Sequence, residues 1–201
     1  MNRPRIGVVI FALFAAAPAL ADGGRTTSSK VEPVFSDGAF RGCSVVFDVI
    51  RNDPEYSANA LVKVSGSITV MMSPKGDPLA VLKLGSRDAK ISATEQYSPP
   101  EEAYFINENG NNTIDLIGSG NVDAAGLRLF IYKISDASIK QLVEAKSTGK
   151  LKIGYVLRKG GASAPVDVDF TARSVDAAGK VVSDGGAPRE WDLCLTALMQ
   201  S

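Results

Sequence analysis

Histidine is absent from this 201-residue chain. Without it there is no Ser-His or Cys-His catalytic pair, no His-ligated zinc and no His-ligated haem. A surplus of either charge is absent too, since 22 Lys and Arg stand against 22 Asp and Glu. General nucleic-acid binding rests on a Lys/Arg excess, so no nucleic-acid partner is expected. Cysteine is sparse, with Cys43 and Cys194 alone. Two cysteines without histidine build no zinc site, and no C-x-x-C redox motif occurs. Neither cofactor nor metal is expected.

Only one long apolar run is present, and it lies at the N-terminus. Arg3 and Arg5 precede the twelve apolar residues Ile6 to Ala17, and Ala19 and Ala21 then give the A-x-A cleavage pattern. Residues 1–21 therefore read as a cleavable signal peptide. The run is too short to span a hydrocarbon core of roughly 30 Å as a permanent anchor. No cysteine follows the cleavage point for a lipid, and Pro4 separates the two arginines, so no paired-arginine signal exists. Cleavage removes Arg3 and Arg5 and no acidic residue, which leaves 20 basic and 22 acidic residues and a formal charge of −2. The expected product is soluble, periplasmic or secreted, with no transmembrane anchor. In an oxidising compartment Cys43 and Cys194 are expected to form one structural disulfide between the first and last structured strands.

The rest of the chain reads as one unit. Residues 22–35 are polar and without periodicity, a flexible leader, and 36–201 form a single β-rich domain. Val62, Val64, Ile68, Val70 and Met72 share one parity, with Lys63, Ser65, Ser67 and Thr69 on the other. Such alternation means one buried and one wet face. Gly66 falls on the apolar parity, where a bulge or a close approach by another strand is expected. Ser73 to Pro78 is a turn, and Leu79–Leu84 the return strand of a hairpin. Further strands are expected at 44–50, 89–93, 102–107, 113–117, 127–134, 151–157 and 166–170, with 102–107 and 113–117 as a second hairpin. Trp191 to Leu198 closes the chain. One helix, about 135–148, interrupts the strands: Ser135 or Asp136 caps it, Ile139, Leu142 and Val143 form its apolar stripe, and Gly149 stops it. The expected fold is mainly β, a single β-sandwich or partly closed β-barrel with this helix between strands.

Several short motifs invite catalytic readings and fail them. Ser147-Thr148-Gly149-Lys150 matches S-x-x-K, but the serine ends a helix instead of opening one, and the companion S-D-N and K-T-G motifs are missing. Gly118-Ser119-Gly120 opens like a dinucleotide fingerprint, yet Asp123 stands at its sixth position and a strand follows, so it reads as a turn. Aligning Gly110 with the central glycine of a calcium loop puts Phe105 and Leu116 where carboxylates are required. Glu95, Glu101, Glu102 and the pair Asp167/Asp169 are the carboxylates available for glycoside hydrolysis, although the parity of Asp167 and Asp169 is that of a solvated face.

Charge is segregated along the chain. Residues 95–123 hold six acidic residues and no Lys or Arg, and 133–159 hold seven basic residues against Asp136 and Glu144. The segments either form two oppositely charged surfaces or are adjacent strands whose charges pair. The order of a helix, a Lys-Leu-Lys-Ile-Gly-Tyr strand and a Val-Asp-Val-Asp-Phe strand is similar to the C-terminal half of small secreted proteins of the invasion-associated locus B type, over about 60 residues. Thr171-Ala172-Arg173-Ser174 stands where that family's apolar, glycine-containing motif is expected, so no residue role carries over.

These observations favour an exported, non-catalytic binding protein stapled by Cys43–Cys194. Its partner would be a protein or an envelope polymer, anionic polymers included, contacted through Lys140, Lys146, Lys150 and Lys152. The alternatives are a cell-wall glycan hydrolase using the acidic segment 95–123, tested at Glu101 and Glu102, and a carrier of a small apolar ligand if the strands close into a barrel.

Overall fold

The computed structural model describes residues 23–53, 56, 61–89, 97–107, 110–112, 115–122 and 126–200. The signal-peptide reading of residues 1–21 lies outside them. The elements in chain order are β1 (Arg25–Ser36), β2 (Ala39–Asn52), β3 (Leu61–Met72), β4 (Pro78–Asp88), β5 (Glu102–Asn107), β6 (Gly110–Asn112), β7 (Leu116–Asn121), β8 (Arg128–Lys133), α1 (Asp136–Thr148), β9 (Lys150–Val156), β10 (Ala164–Asp169), β11 (Ala172–Val175), β12 (Val181–Ser183) and α2 (Ala187–Gln200). Strands β1-β2-β3-β4-β8-β7 form one sheet, β10-β9-β5-β6 a second and β11-β12 a small third. Every pairing is antiparallel.

The two larger sheets stack as a sandwich, and the alternation of the sequence explains the core between them. Val45, Phe47 and Val49 of β2, Val62, Val64 and Ile68 of β3, and Leu82 and Leu84 of β4 point inward. Leu151, Ile153 and Tyr155 of β9 and Val166 and Val168 of β10 meet them from the other sheet. Phe105 and Tyr132 cross the gap edge to face, their ring centroids 5.5 Å apart. Tyr132 also donates its hydroxyl proton to the Ala103 carbonyl. Gly66 marks a close approach and not a bulge, since β3 keeps register through it. A Cβ there would stand 2.0 Å from the Lys83 carbonyl oxygen.

Among the described residues the sheets do not close into a barrel. One backbone hydrogen bond and two hydroxyl side chains make the seam instead. The Asp167 N–H donates to the Gly23 carbonyl at 3.0 Å. Thr26 Oγ1 donates to the Asp167 carbonyl at 2.8 Å and accepts the Asp169 N–H at 2.9 Å. Ser29 Oγ lies 2.8 Å from both the Phe170 and the Ala172 carbonyl oxygens.

Several expectations change. The stretch 22–35, expected as a flexible leader, carries β1, whose Thr26 and Ser29 are buried because the seam needs their hydroxyls. The C-terminal segment is a second helix, α2, not a strand. Ala187, Trp191, Leu195 and Leu198 recur at helical spacing and are its buried residues. The disulfide Cys43–Cys194 forms, with a Cα–Cα distance of 5.9 Å, but it joins β2 to this helix. Trp191 is fully buried against Phe170, centroids 5.6 Å apart. Gly118-Ser119-Gly120 is not a turn but lies within β7. In the second hairpin β5 pairs with β6, at Phe105 opposite Asn112, and the next strand begins only at Leu116. Of the strand expected at 89–93, Ala89 is a turn and the rest lies outside the described residues.

Helix α1 occupies its expected span, with Gly149 in the left-handed conformation at its end. Its buried side differs from the expected stripe. Ser138, Gln141, Leu142 and Ala145 are buried, whereas Ile139 and Val143 are 47% and 54% exposed. The reason is polar: Gln141 Nε2 donates to the carbonyls of Ile106 and Lys152, at 2.5 and 2.9 Å, and so clamps that side to β5 and β9.

Candidate functional site

The outward faces of β9 and β10 form the floor of a groove of about 850 Å³. Because Leu151, Ile153, Val166 and Val168 turn inward, period-two alternation sends Lys150, Lys152, Asp167 and Asp169 outward. Register sets Lys150 opposite Asp169 and Lys152 opposite Asp167. The second pair closes to 3.4 Å between Lys152 Nζ and Asp167 Oδ1. Asp169 instead accepts the Thr171 N–H and hydroxyl, at 2.9 and 2.7 Å, through Oδ1. Among the described residues no carboxylate forms an ion pair with Lys150.

Helix α1 supplies one wall through Gln141, Glu144 and Thr148, and the start of β1 with β12 supplies the other. Gln141 Oε1 is buried with no hydrogen-bond partner among the described residues. Across the groove, Arg25 donates from Nη2 to the Gly179 carbonyl at 3.0 Å. Three cations (Arg25, Lys150 and Lys152) and three carboxylates (Glu144, Asp167 and Asp169) therefore line one cleft, with no aromatic side chain among its lining. Such a surface offers hydrogen bonds and local charge to an extended polar chain, but no flat ring for a sugar to stack on.

Of the four lysines expected to contact a partner, Lys150 and Lys152 line the groove and Lys140 and Lys146 do not. Lys140 is exposed on α1. Lys146 is joined to Asp192 of α2 at 2.6 Å. The acidic and basic segments are neighbours in the sheet, because β5 pairs with β9. Three of their charges nonetheless find partners elsewhere: Glu101 pairs with Arg128 at 3.2 Å, and Lys152 and Lys146 with Asp167 and Asp192. Glu101 and Glu102 do not line the groove. An apolar carrier required a closed barrel, a condition the open sheets do not meet.

Arg25, Thr26 and Gln141 were invisible to sequence reasoning as site residues. A polar leader and a helical glutamine carry no local signal, and only the seam and the clamp bring them to the cleft.

Comparison with known proteins adds no relative: no family model, no curated protein and no solved structure matches the chain. Two findings bear on location. The Cys43–Cys194 disulfide is consistent with an exported protein. Among the described residues, no helix is long and apolar enough to cross a membrane.

Proposed function

We propose that this chain is an exported, non-catalytic binding protein, periplasmic or secreted, that holds an extended segment of a protein or envelope polymer in the groove over β9 and β10. The observation that carries the reading is the groove itself, open, carrying charged side chains of both signs, and floored by a hydrogen-bonded strand pair. Lys150 supplies a cation without an ion-pair partner among the described residues, and Arg25 a second from the facing wall. Anionic groups on the partner complement both.

The test is capture of envelope fractions by immobilised protein at low salt, comparing wild type with the Lys150→Glu/Lys152→Glu double variant and with Lys140→Glu/Lys146→Glu. The groove reading expects the first variant to lose capture and the second to keep it. Equal capture by the wild type and the Lys150→Glu/Lys152→Glu protein removes the groove as the site. For the location, N-terminal sequencing of the exported protein should begin at Asp22.

A further inference from the structure

From one wall of the groove to the other, four elements follow in order of contact. Helix α1 is hydrogen-bonded to β9, β9 is paired with β10, and β10 is tied to the start of β1. Each contributes one charged side chain that forms no ion pair among the described residues: Glu144, Lys150, Asp169 and Arg25. Their signs alternate across the cleft, carboxylate, ammonium, carboxylate, guanidinium. The other two charges of the groove, Lys152 and Asp167, pair with each other.

Local hydrogen bonds set the places of these four. Lys150 is the cross-strand neighbour of Asp169, but Asp169 Oδ1 is occupied by the Thr171 N–H and hydroxyl. Arg25 is turned to the Gly179 carbonyl. Thr148 Oγ1 donates to the Glu144 carbonyl at 2.9 Å and accepts the Lys150 N–H at 3.2 Å, which fixes the turn from wall to floor. Beside them Gln141 is only 8% exposed and gives its Nε2 hydrogens to the Ile106 and Lys152 carbonyls. Its remaining polar atom, Oε1, is an acceptor with no partner among the described residues. A buried acceptor calls for an N–H or O–H donor, which a bare anion does not supply. A uniformly anionic polymer would also set its charges against Glu144 and Asp169, and like charges brought together select against a partner.

We propose, resting on the reading of this groove as the binding site, that its ligand is an extended peptide segment whose groove-facing side chains carry both signs. Its carboxylates face Lys150 and Arg25, its amines face Glu144 and Asp169, and its main-chain N–H groups are the donors this cleft calls for. Alternate side chains of an extended chain point to opposite sides, so the charges that enter the groove stand at every second residue and change sign from one to the next.

Fluorescence anisotropy at low salt tests this, using the disulfide-bonded protein and labelled peptides of equal length built from Lys-Ser-Glu-Ser, Glu-Ser or Lys-Ser repeats. The mixed-sign peptide should bind at least about tenfold more tightly than either single-sign peptide. Glu144→Gln/Asp169→Asn removes both carboxylate charges and keeps an Oδ1 acceptor for Thr171. It should weaken the mixed-sign peptide and strengthen the glutamate one, with circular dichroism unchanged. Glu144→Gln alone, at an exposed helix position, should shift both affinities the same way by less. A glutamate peptide that binds the wild type as tightly as the mixed-sign one overturns the proposal. So does a preference that both carboxylate variants leave unchanged, or the absence of binding by every peptide. In these cases the groove still stands as the site if Lys150→Glu/Lys152→Glu loses envelope capture. Mixed-sign binding that survives Lys150→Glu/Lys152→Glu overturns the groove reading as well.

Discussion

Reducing the Cys43–Cys194 bridge releases a crosslink between residues 151 positions apart. In the chain-entropy account, a loop of that length restricts the unfolded ensemble by about 5 kcal/mol at 25 °C. Net folding stabilities run at about 5–15 kcal/mol, so the bridge supplies a third or more of the total. A chain of this size shifts by about 2–4 °C per kcal/mol, which predicts a melting temperature lower by about 10–20 °C after reduction. The folded state itself should survive at 25 °C, because Trp191, Leu195 and Leu198 keep α2 docked without the sulfur link. Thermal unfolding followed by circular dichroism, with and without reductant, measures the shift. The near-ultraviolet signal of Trp191 reports separately on α2. The Cys43→Ala/Cys194→Ala variant should fall somewhat further than reduced wild type, since Cys43 is fully buried and its truncation leaves a small cavity. A shift below about 3 °C would refute the entropic reasoning. Loss of the Trp191 signal while the sheets persist would show instead that the bridge acts locally, by holding α2 to β2.

Trp191→Ala should cost about 3–5 kcal/mol in urea unfolding, as full truncation of a buried indole does. Trp191→Phe should cost clearly less, because the indole N–H has no hydrogen-bond partner among the described residues to lose; equal losses would contradict this. Thr26→Ala/Ser29→Ala removes the hydroxyls that tie β1 to β10 and to the start of β11, and should destabilise by about 1–3 kcal/mol for each unsatisfied group left behind. Unchanged urea midpoints would mean that the seam contributes nothing. Gly66→Ala should destabilise more than the approximately 1 kcal/mol scale of ordinary strand substitutions, its methyl meeting the Lys83 carbonyl. Burial raises the Tyr132 and Tyr155 phenols above the ordinary tyrosine value, Tyr155 with further help from its hydrogen bond to Asp53. The native state thus favours their neutral forms, so stability holds below about pH 10 and declines above it as unfolded tyrosines ionise. Absorbance at 295 nm should register these two phenolates only as the protein unfolds, and full ionisation of the chain's five tyrosines before the circular dichroism changes would disprove it.

What the sequence determined was local and periodic. The alternation in β3, the turn expected from Ser73 to Pro78 (of which Pro78 already opens β4), the cap and stop of α1 at Ser135 and Gly149, and the Cys43–Cys194 pairing were legible. Parity, turn chemistry and cysteine count are properties of neighbouring residues or of a pair that has no rival. Where two periodicities competed, the sequence was ambiguous. Trp191 to Leu198 is short and apolar enough to suit a strand, and only its place over the Cys43 end of β2 shows that the helical spacing of Ala187, Trp191, Leu195 and Leu198 governs. The tertiary structure alone decided the rest. It turned the polar segment from Arg25 into a strand because buried hydroxyls at Thr26 and Ser29 satisfy carbonyls from β10 and its downstream turn, more than 140 residues away. It turned Ile139 and Val143 outward because one glutamine binds two carbonyls from two strands. It also placed Lys150 and Lys152 beside Arg25 and Asp167 in one groove. A hydrogen bond between distant backbone and side-chain groups leaves no periodic trace in the chain, and so these features were set by packing.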